Sequence, residues 1–476
     1  MIEPNALKKL GEILGPGGLI KDAVGLTCYS YDAMPYSPEG NQRVMPDAVA
    51  LPRDADQVCE IVSLANEFRF PIVPRGAGTG MTGGARPTMG GLVLAFSRMN
   101  NMEILDKDLT ARVQPGVITS RIQQEAERAG LFYPPDPASS EACTIGGNIA
   151  ENAGGLRAVK YGVTRDYVLG LDAVLGDATR IKAGAKTVKS VAGLDMVSLL
   201  AGSEGTLGLV LEAWLKLLPL PESRCTLLAL FETADQAASA APAILTARLD
   251  PTALEFMDRY TIECVADQLD ELGTNIPGAM LLVELDGGIG DTKRRIRDVR
   301  SICTDLGAYN TRISDSEEAR EQLWKARKAI SPALGKLAPF KIDEDVAVPR
   351  SRLAELVRGA GEIGLKNGLK CACYGHAGDG NLHVNYLVPA GEKPAGAEKV
   401  ARELFELAIS LGGTISGEHG IGTAKRMYLE LETGRAGLDI MASVKQALDP
   451  KGIMNPGKLL PKDYDTMPGY VRKNTE

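Results

Sequence analysis

Histidine is scarce in this chain, with three in 476 residues. The eight cysteines, at 28, 59, 143, 225, 264, 303, 371 and 373, form no CxxC pair and no CxxCxxCxxxCP run. That excludes an iron–sulfur cluster ligated by this chain. Cys371 and Cys373 sit two apart on an expected strand and read as buried strand thiols. No apolar run reaches membrane-spanning length, and the N-terminal MIEPNALKKLGEILG lacks the apolar core of a secretory signal. A cytoplasmic location follows, with peripheral docking to the inner membrane through a partner left open. No basic stripe interrupts a net charge of -8, which argues against nucleic-acid binding. Internal repeats and low-complexity segments are also missing.

The length is enough for two or three domains. Hydrophobic content of 44% and charged content of 24% are ordinary for a globular enzyme. The 53 glycines exceed the usual share and fall in clusters, which points to ligand-holding loops.

All three histidines fall in one stretch. It opens with YGHAGDGNLHVN (Tyr374 to Asn385) and closes with SGEHGIG (Ser416 to Gly422). Two imidazoles and a neighbouring carboxylate suit a borderline divalent metal such as zinc, manganese or iron. Alternation around His383, Asn385 and Leu387 predicts a strand with His383 and Asn385 on one face. The glycines at 375, 378 and 380 let a tight loop turn His376 back toward that strand.

A second anchor is PRGAGTGMTGGARP (Pro74 to Pro87). Successive backbone N–H groups in such a loop can hold pyrophosphate oxygens. A formal GxGxxG occurs at Gly78, Gly80 and Gly83. The dinucleotide fold needs a helix starting inside that motif. Here Pro87 and Gly90-Gly91 lead into LVLAF, so the loop joins strand to strand. Helices are expected over 54–69 and 119–129, with strands near 71–73, 92–96 and 112–117. Another glycine-rich run, Leu131 to Ala178, lets backbone approach a flat ligand closely. It ends in a strand over 168–175 that enters a hairpin, and GSEGTLG precedes one more strand.

From 222 onward strands and helices alternate: CTLLALF, a helix over 234–248, ALEFMD, a helix over 259–271, AMLLVELDG and a helix over 291–307. This texture predicts an α+β domain. Residues 317–337 read as a helix with a basic face of Lys325, Arg327 and Lys328. Then come the extended FKIDEDVAVP and a final helix over 438–448.

Six motifs, PRGAGTGMTGGA, GGNIAENAGG, GSEGTLG, GHAGDGNLH, GEHGIG and LDPKGIMNPGK, occur in one order. Together they resemble the FAD-dependent dehydrogenases of D-2-hydroxy acids over roughly 40–460. That group includes D-lactate dehydrogenases, the FAD subunit of glycolate oxidase and D-2-hydroxyglutarate dehydrogenase. The resemblance implies an α+β architecture. A two-lobed FAD-binding domain of the vanillyl-alcohol oxidase type (1–220) is joined to an α+β substrate cap domain (221–420). A C-terminal helical segment (421–476) returns to the FAD domain. It implies that Arg75, Gly76, Ala77, Gly78, Thr79 and Gly80 hold the FAD pyrophosphate. Pro135, Asp136, Ser139, Gly146, Gly147, Asn148, Asn152, Gly154 and Gly155 would line the isoalloxazine and ribityl path. Glu204, Gly205 and Leu207 would lie toward the adenine, and Asn455 would return to the flavin. Relatives with covalent flavin often carry a histidine or cysteine in the corresponding loops; the pyrophosphate loop here offers Thr79 and no histidine, so FAD is expected to be non-covalent, with Cys143 the one reservation.

By the same resemblance His376, His383 and Glu418 are metal ligands, zinc foremost with manganese or iron as alternatives, and His419 is the base. Arg327, Ser331, Lys341, Asn385 and His419 match substrate-contacting positions. Ser331 replaces a threonine, and its spacing to Lys341 differs by one residue. The implied reaction oxidises a small (R)-2-hydroxy acid, D-lactate or glycolate first, with hydride passing to flavin N5. D-2-Hydroxyglutarate oxidation, a non-redox flavin transferase of the alkylglycerone-phosphate synthase kind, and a non-catalytic flavin subunit are the alternatives. The electron acceptor would be an iron–sulfur subunit, an electron-transfer flavoprotein, a quinone or a cytochrome. A homodimer is left open.

Overall fold

A computed structural model describes residues 1–34, 44–269, 276–314, 316–338, 340–389 and 396–464. They form two compact units. The first comprises 1–153, 163–220 and the chain from His419 onward; the second comprises 154–162 and 221–418.

In the first unit a four-stranded sheet runs Leu19–Ile20, Ala48–Ala50, Leu92–Ala95, Ile72–Arg75. The last two strands are parallel, and the glycine loop joins them with no helix between. The strand-to-strand expectation therefore holds. The Ala55–Phe68 helix starts where Asp54 accepts from the Gln57 N–H, and buries Val58, Ile61, Val62, Leu64 and Ala65 against this sheet. A second, antiparallel sheet runs Met102–Leu105, Thr110–Val113, Gly208–Lys216, Val168–Leu175, Arg180–Gly184. Asp449, fully buried, accepts from the Ile453 and Met454 N–H groups and from Lys445 Nζ, which fixes the C-terminal return. Ile453 and Met454 then pack into the core around Ile72 and Leu92.

The second unit is built on one seven-stranded sheet. Its order is Ala308–Ser314, Ser223–Phe231, Ala279–Gly287, Ala253–Asp258, Lys370–His376, Asn381–Leu387, Lys341–Ala347. The Glu317–Leu337 helix, capped by Ser316, lays Leu323, Trp324, Ile330 and Leu334 on the same core as Leu228, Met257, Leu282 and Tyr374. Lys325 and Lys328 are exposed, but Arg327 is buried among those apolar residues, so it leaves the basic face expected for it. The helix expected over 259–271 stops at Glu263, after which a turn and a 3-10 turn at Ala266–Gln268 follow. Its last two residues lie outside the described residues. The final helix begins earlier than expected, at Leu429, with a break at Gly434. Among the described residues no helix is long and apolar enough to cross a membrane.

Residues 154–162 join the second unit through one buried carboxylate. Asp286 accepts from Lys160 Nζ at 2.6 Å and from Tyr161 Oη at 2.8 Å, while Leu156 enters the core. Burial pushes the Asp286 carboxyl up, but Lys160 and its other partners outweigh that and hold it below the usual range. A depressed folded value stabilises above the ordinary carboxylate pKa, and the benefit is lost as pH falls through the folded value. Asp286→Asn is therefore expected to cost about 3 kcal/mol at pH 7. The difference from the unaltered chain should shrink as pH drops toward 3, read from urea midpoints across that range.

Candidate functional site

The histidine site lies wholly within the second unit and follows from strand register. Glu255 is the cross-strand partner of His376, Tyr374 of His383, Asp345 of His383 and Asp343 of Asn385. Paired residues share a face, so all these side chains crowd one side of the sheet. His376 closes its strand, and the loop with Gly378 and Gly380 returns the chain to Asn381. Gly375 and Gly380 both have positive φ, and a side chain on Gly380 would strike the Val348 carbonyl.

Nε2 of His376 lies 3.4 Å, and Nε2 of His383 3.5 Å, from Glu418 Oε1. One ligand atom from each of these three residues falls within 4.8 Å of the others. Glu418 is delivered by a turn held from below. Asp345, fully buried, accepts from the Gly417 N–H at 2.7 Å and the Glu418 N–H at 2.6 Å. On the other side of His376, Nδ1 meets Glu255 Oε1 at 2.7 Å. Glu255 Oε2 accepts from Arg327 Nε at 2.8 Å and pairs with Nη2 at 2.6 Å. Burial pushes the Glu255 carboxyl up, but His376 and Arg327 together outweigh it and hold it below its usual range. Burial lowers His376, yet Glu255 and Glu418 raise it well above the ordinary imidazole value.

This donor set fits a divalent cation. Two imidazoles and a carboxylate converge, and Glu255 engages Nδ1 of His376, leaving Nε2 to face the other two ligands. A carboxylate behind a ligating histidine is the usual way its tautomer and ring angle are set.

Of the expected substrate residues, Arg327, Ser331, Lys341 and Asn385 lie in the same unit as this point. The Arg327 guanidinium lies over the Tyr374 ring at 4.8 Å, and Ser331 hydrogen-bonds Tyr374, whose hydroxyl is pushed up first by burial and then by Asp343. Tyr374 also meets the His383 ring at 4.9 Å. Glu255 has taken one edge of the Arg327 fork. Lys341 Nζ donates to Asn385 Oδ1 at 2.8 Å. His419 belongs to the first unit, where its carbonyl accepts from Thr82 Oγ1 at 3.1 Å.

The cofactor segments of the first unit come together by close backbone approach. A side chain on Gly76 would collide with Thr144, the cap of the Ile145–Glu151 helix that carries Gly146, Gly147 and Asn148. A side chain on Gly205 would collide with Pro74. Asn455 Nδ2 donates to the carbonyls of Gly84 and Glu204, and the Glu204 N–H donates to Ala150. Asn152, Glu204 and Asn455 all hold positive φ, which is uncommon outside glycine. Asn455 Oδ1 and Tyr133 Oη are buried without a hydrogen-bond partner, so polar atoms remain for a ligand. Thr79 and Gly80 are partly exposed on the loop, and only Glu151 Oε1, at 4.0 Å, would meet a side chain on Gly80. These residues fit a flat, phosphate-bearing cofactor.

Several expected residues are also braced within the protein. Arg75 is buried under Gly78, with Nη1 donating to the Tyr31 carbonyl, and burial lowers its pKa. The Glu204 carboxylate accepts from the N–H groups of Ile421 and Gly422, both at 2.7 Å. The Pro135 carbonyl accepts from Gln123 Nε2, as Asp136 Oδ1 does at 3.4 Å. The Ser139 carbonyl caps the turn to Cys143, whose buried thiol meets Thr119. Leu207 is buried, and Ala77 is exposed on the loop. Gly154 and Gly155 belong to the second unit.

A model of the FAD binding domain matches residues 46–184, and one of the C-terminal domain of FAD linked oxidases matches 220–459. The chain belongs to the FAD-linked oxidase family and is an FAD-dependent oxidoreductase. It is 44% identical over 466 residues to the glycolate oxidase subunit GlcD of Bacillus subtilis, covering 97% of this chain and 98% of the relative. The D-lactate dehydrogenase of Anaerostipes hadrus is 34% identical over 472 residues, at 96% and 98% coverage. The D-2-hydroxyglutarate dehydrogenase of Stutzerimonas stutzeri is 34% identical over 471 residues, at 96% and 99%. Among solved structures, p-cresol methylhydroxylase with substrate bound matches with a TM-score of 0.79 at 18% identity, covering 96% of this chain and 97% of that one. Alkyldihydroxyacetonephosphate synthase matches at 0.76 and 19%, covering 95% and 86%. These neighbours share the fold alone, and it is the vanillyl-alcohol oxidase type expected from the motifs.

Glu255, Asp345 and Tyr374 had not been singled out as site residues. The available signal for Glu255 was an acid inside the otherwise apolar ALEFM. Glu255→Gln is expected to weaken uptake of zinc or manganese 10- to 100-fold, measured by equilibrium dialysis with metal analysis.

Proposed function

We propose that this chain oxidises a small (R)-2-hydroxy acid, D-lactate or glycolate foremost, to the 2-oxo acid. The observation that supports it is the convergence of His376, His383 and Glu418 beside the buried Arg327–Glu255 pair. FAD, when bound, supplies the hydride acceptor. A divalent cation held by the two histidines and Glu418, zinc foremost, supplies Lewis acidity. Arg327 has Nη1 left to meet a substrate carboxylate once Glu255 has engaged Nε and Nη2. Ser331 and Tyr374 position that contact, and Asn385 with Lys341 bounds the far end. His419, the residue after Glu418, takes the hydroxyl proton; an imidazole is suited to that work near neutral pH.

The names of the relatives support oxidation over the non-redox transferase reading, which rests on a fold shared at 19% identity. Bleaching of bound flavin by a 2-hydroxy acid separates the two. The Bacillus relative is named a subunit, which supports a separate electron-accepting partner, an iron–sulfur subunit, electron-transfer flavoprotein, quinone or cytochrome. In anaerobic mixing, His419→Ala should keep its yellow colour and lose at least 100-fold in flavin reduction by substrate. Reduction at the unaltered rate removes His419 from the mechanism.

A further inference from the structure

The sheet face that carries the histidines ends in a second polar cluster. Asp343 and Asn385 are direct cross-strand partners, and Lys341 precedes Asp343 by two residues on the same face. Lys341 Nζ sits 2.7 Å from Asp343 Oδ2 while donating to Asn385 Oδ1. The contact with Asp343 is close enough for ion pairing but lies off the line of a hydrogen bond. Asp343 Oδ2 is thus buried with no hydrogen-bond partner, and so is Asn385 Nδ2. The Asp343 oxygen keeps its ion pair with Lys341 but, like the Asn385 donor beside it, has hydrogen-bonding capacity unused, which is costly unless something fills it. A neutral group that both donates and accepts, such as a hydroxyl or a water, satisfies the pair. A carboxylate meets the Asn385 donor and a Lys341 ammonium already paired with Asp343, so its added negative charge goes uncompensated.

The charge of the whole face points the same way. Asp343, Asp345, Glu255 and Glu418 bring acidic groups to it, with Asp379 beside His376, and Arg327 and Lys341 bring the cations. Lys341 is offset by Asp343, and Arg327 by Glu255. One divalent cation would add its charge beside the histidines, where a single substrate carboxylate can be held, and would leave no unpaired cation at the Asp343 end for a second one. Asn385 follows His383 by two residues, about 7 Å along the strand, which is the span of a short acid.

We infer that Asp343 acts as a charge filter: the site admits short 2-hydroxy monocarboxylic acids and rejects those that carry a second carboxylate at the side-chain end. The inference rests on the proposed oxidation and narrows its substrate class. Like charge set against like is a common way of excluding a wrong ligand.

The test uses the full chain loaded with FAD, mixed anaerobically with glycolate, D-lactate, D-malate and D-2-hydroxyglutarate. The kcat/KM for flavin reduction should be at least tenfold lower for the two dicarboxylates, with the difference mainly in KM. Asp343→Asn should narrow that gap at least threefold, while Asp343→Glu keeps it. A gap under tenfold in the unaltered chain overturns the filter, whether or not the variants fold. So does an unchanged gap in an Asp343→Asn protein that still binds FAD. Flavin that no acid reduces defeats the oxidation reading instead. Calorimetry with pyruvate and 2-oxoglutarate then decides the filter alone: pyruvate binding at least tenfold tighter upholds it, and a smaller preference overturns it.

Discussion

A single buried carboxylate organises the second unit. Glu255 is 0% exposed and stands between the Arg327 guanidinium and the His376 imidazole. A lone carboxylate there would be driven to its neutral form by the lack of solvent. The Arg327 guanidinium and the His376 Nδ1 contact offset that, and each of the three then depends on the others. Arg327 can sit within the apolar stripe of its helix because Glu255 receives it, and His376 is aimed because Glu255 holds its Nδ1. Such a network is costly if half made and rigid if complete. Rigidity is what a cation site needs, because ligand angles set in advance cost nothing at binding.

The first unit solves a different problem by different means. Its candidate cofactor segments are held together mostly by backbone, with glycines where a side chain would strike a neighbour. Gly76 lies against Thr144 and Gly205 against Pro74. The positive φ of Asn152, Glu204 and Asn455 is held by neighbouring bonds: Asn152 Oδ1 accepts from the Arg165 N–H, and Asn455 bridges two carbonyls. Left-handed backbone in non-glycine residues persists where its surroundings over-determine it.

Fold and chemistry separate here. The same architecture serves a methylhydroxylase and a synthase at under a fifth identity. Function is therefore argued from the site. The relatives of higher identity are named for three acids that differ in the far substituent, the difference on which the proposed filter at Asp343 would act.

Periodicity and turn residues were enough to read most elements, because they act locally. The 317–337 helix, the ALEFMD and AMLLVELDG strands and the helix-free glycine loop all follow from neighbours in sequence. The clustering of His376, His383 and Glu418 was legible too, since a tight hairpin and a nearby turn join them. The 259–271 segment starts as expected, with Asp258 capping it by accepting from the Thr261 N–H, but its apolar spacing runs on past Glu263, where the helix stops. What tertiary structure alone decided was register. Glu255 meets His376 across 121 residues of chain, Asp345 meets Glu418 across 73, and Lys160 meets Asp286 across 126. Sequence spacing carries no record of which strands lie side by side. A shift of one residue in the Glu255–His376 pairing would send the side chain to the opposite face of the sheet, so only the folded pairing turns an acid in an apolar strand into the support of a site.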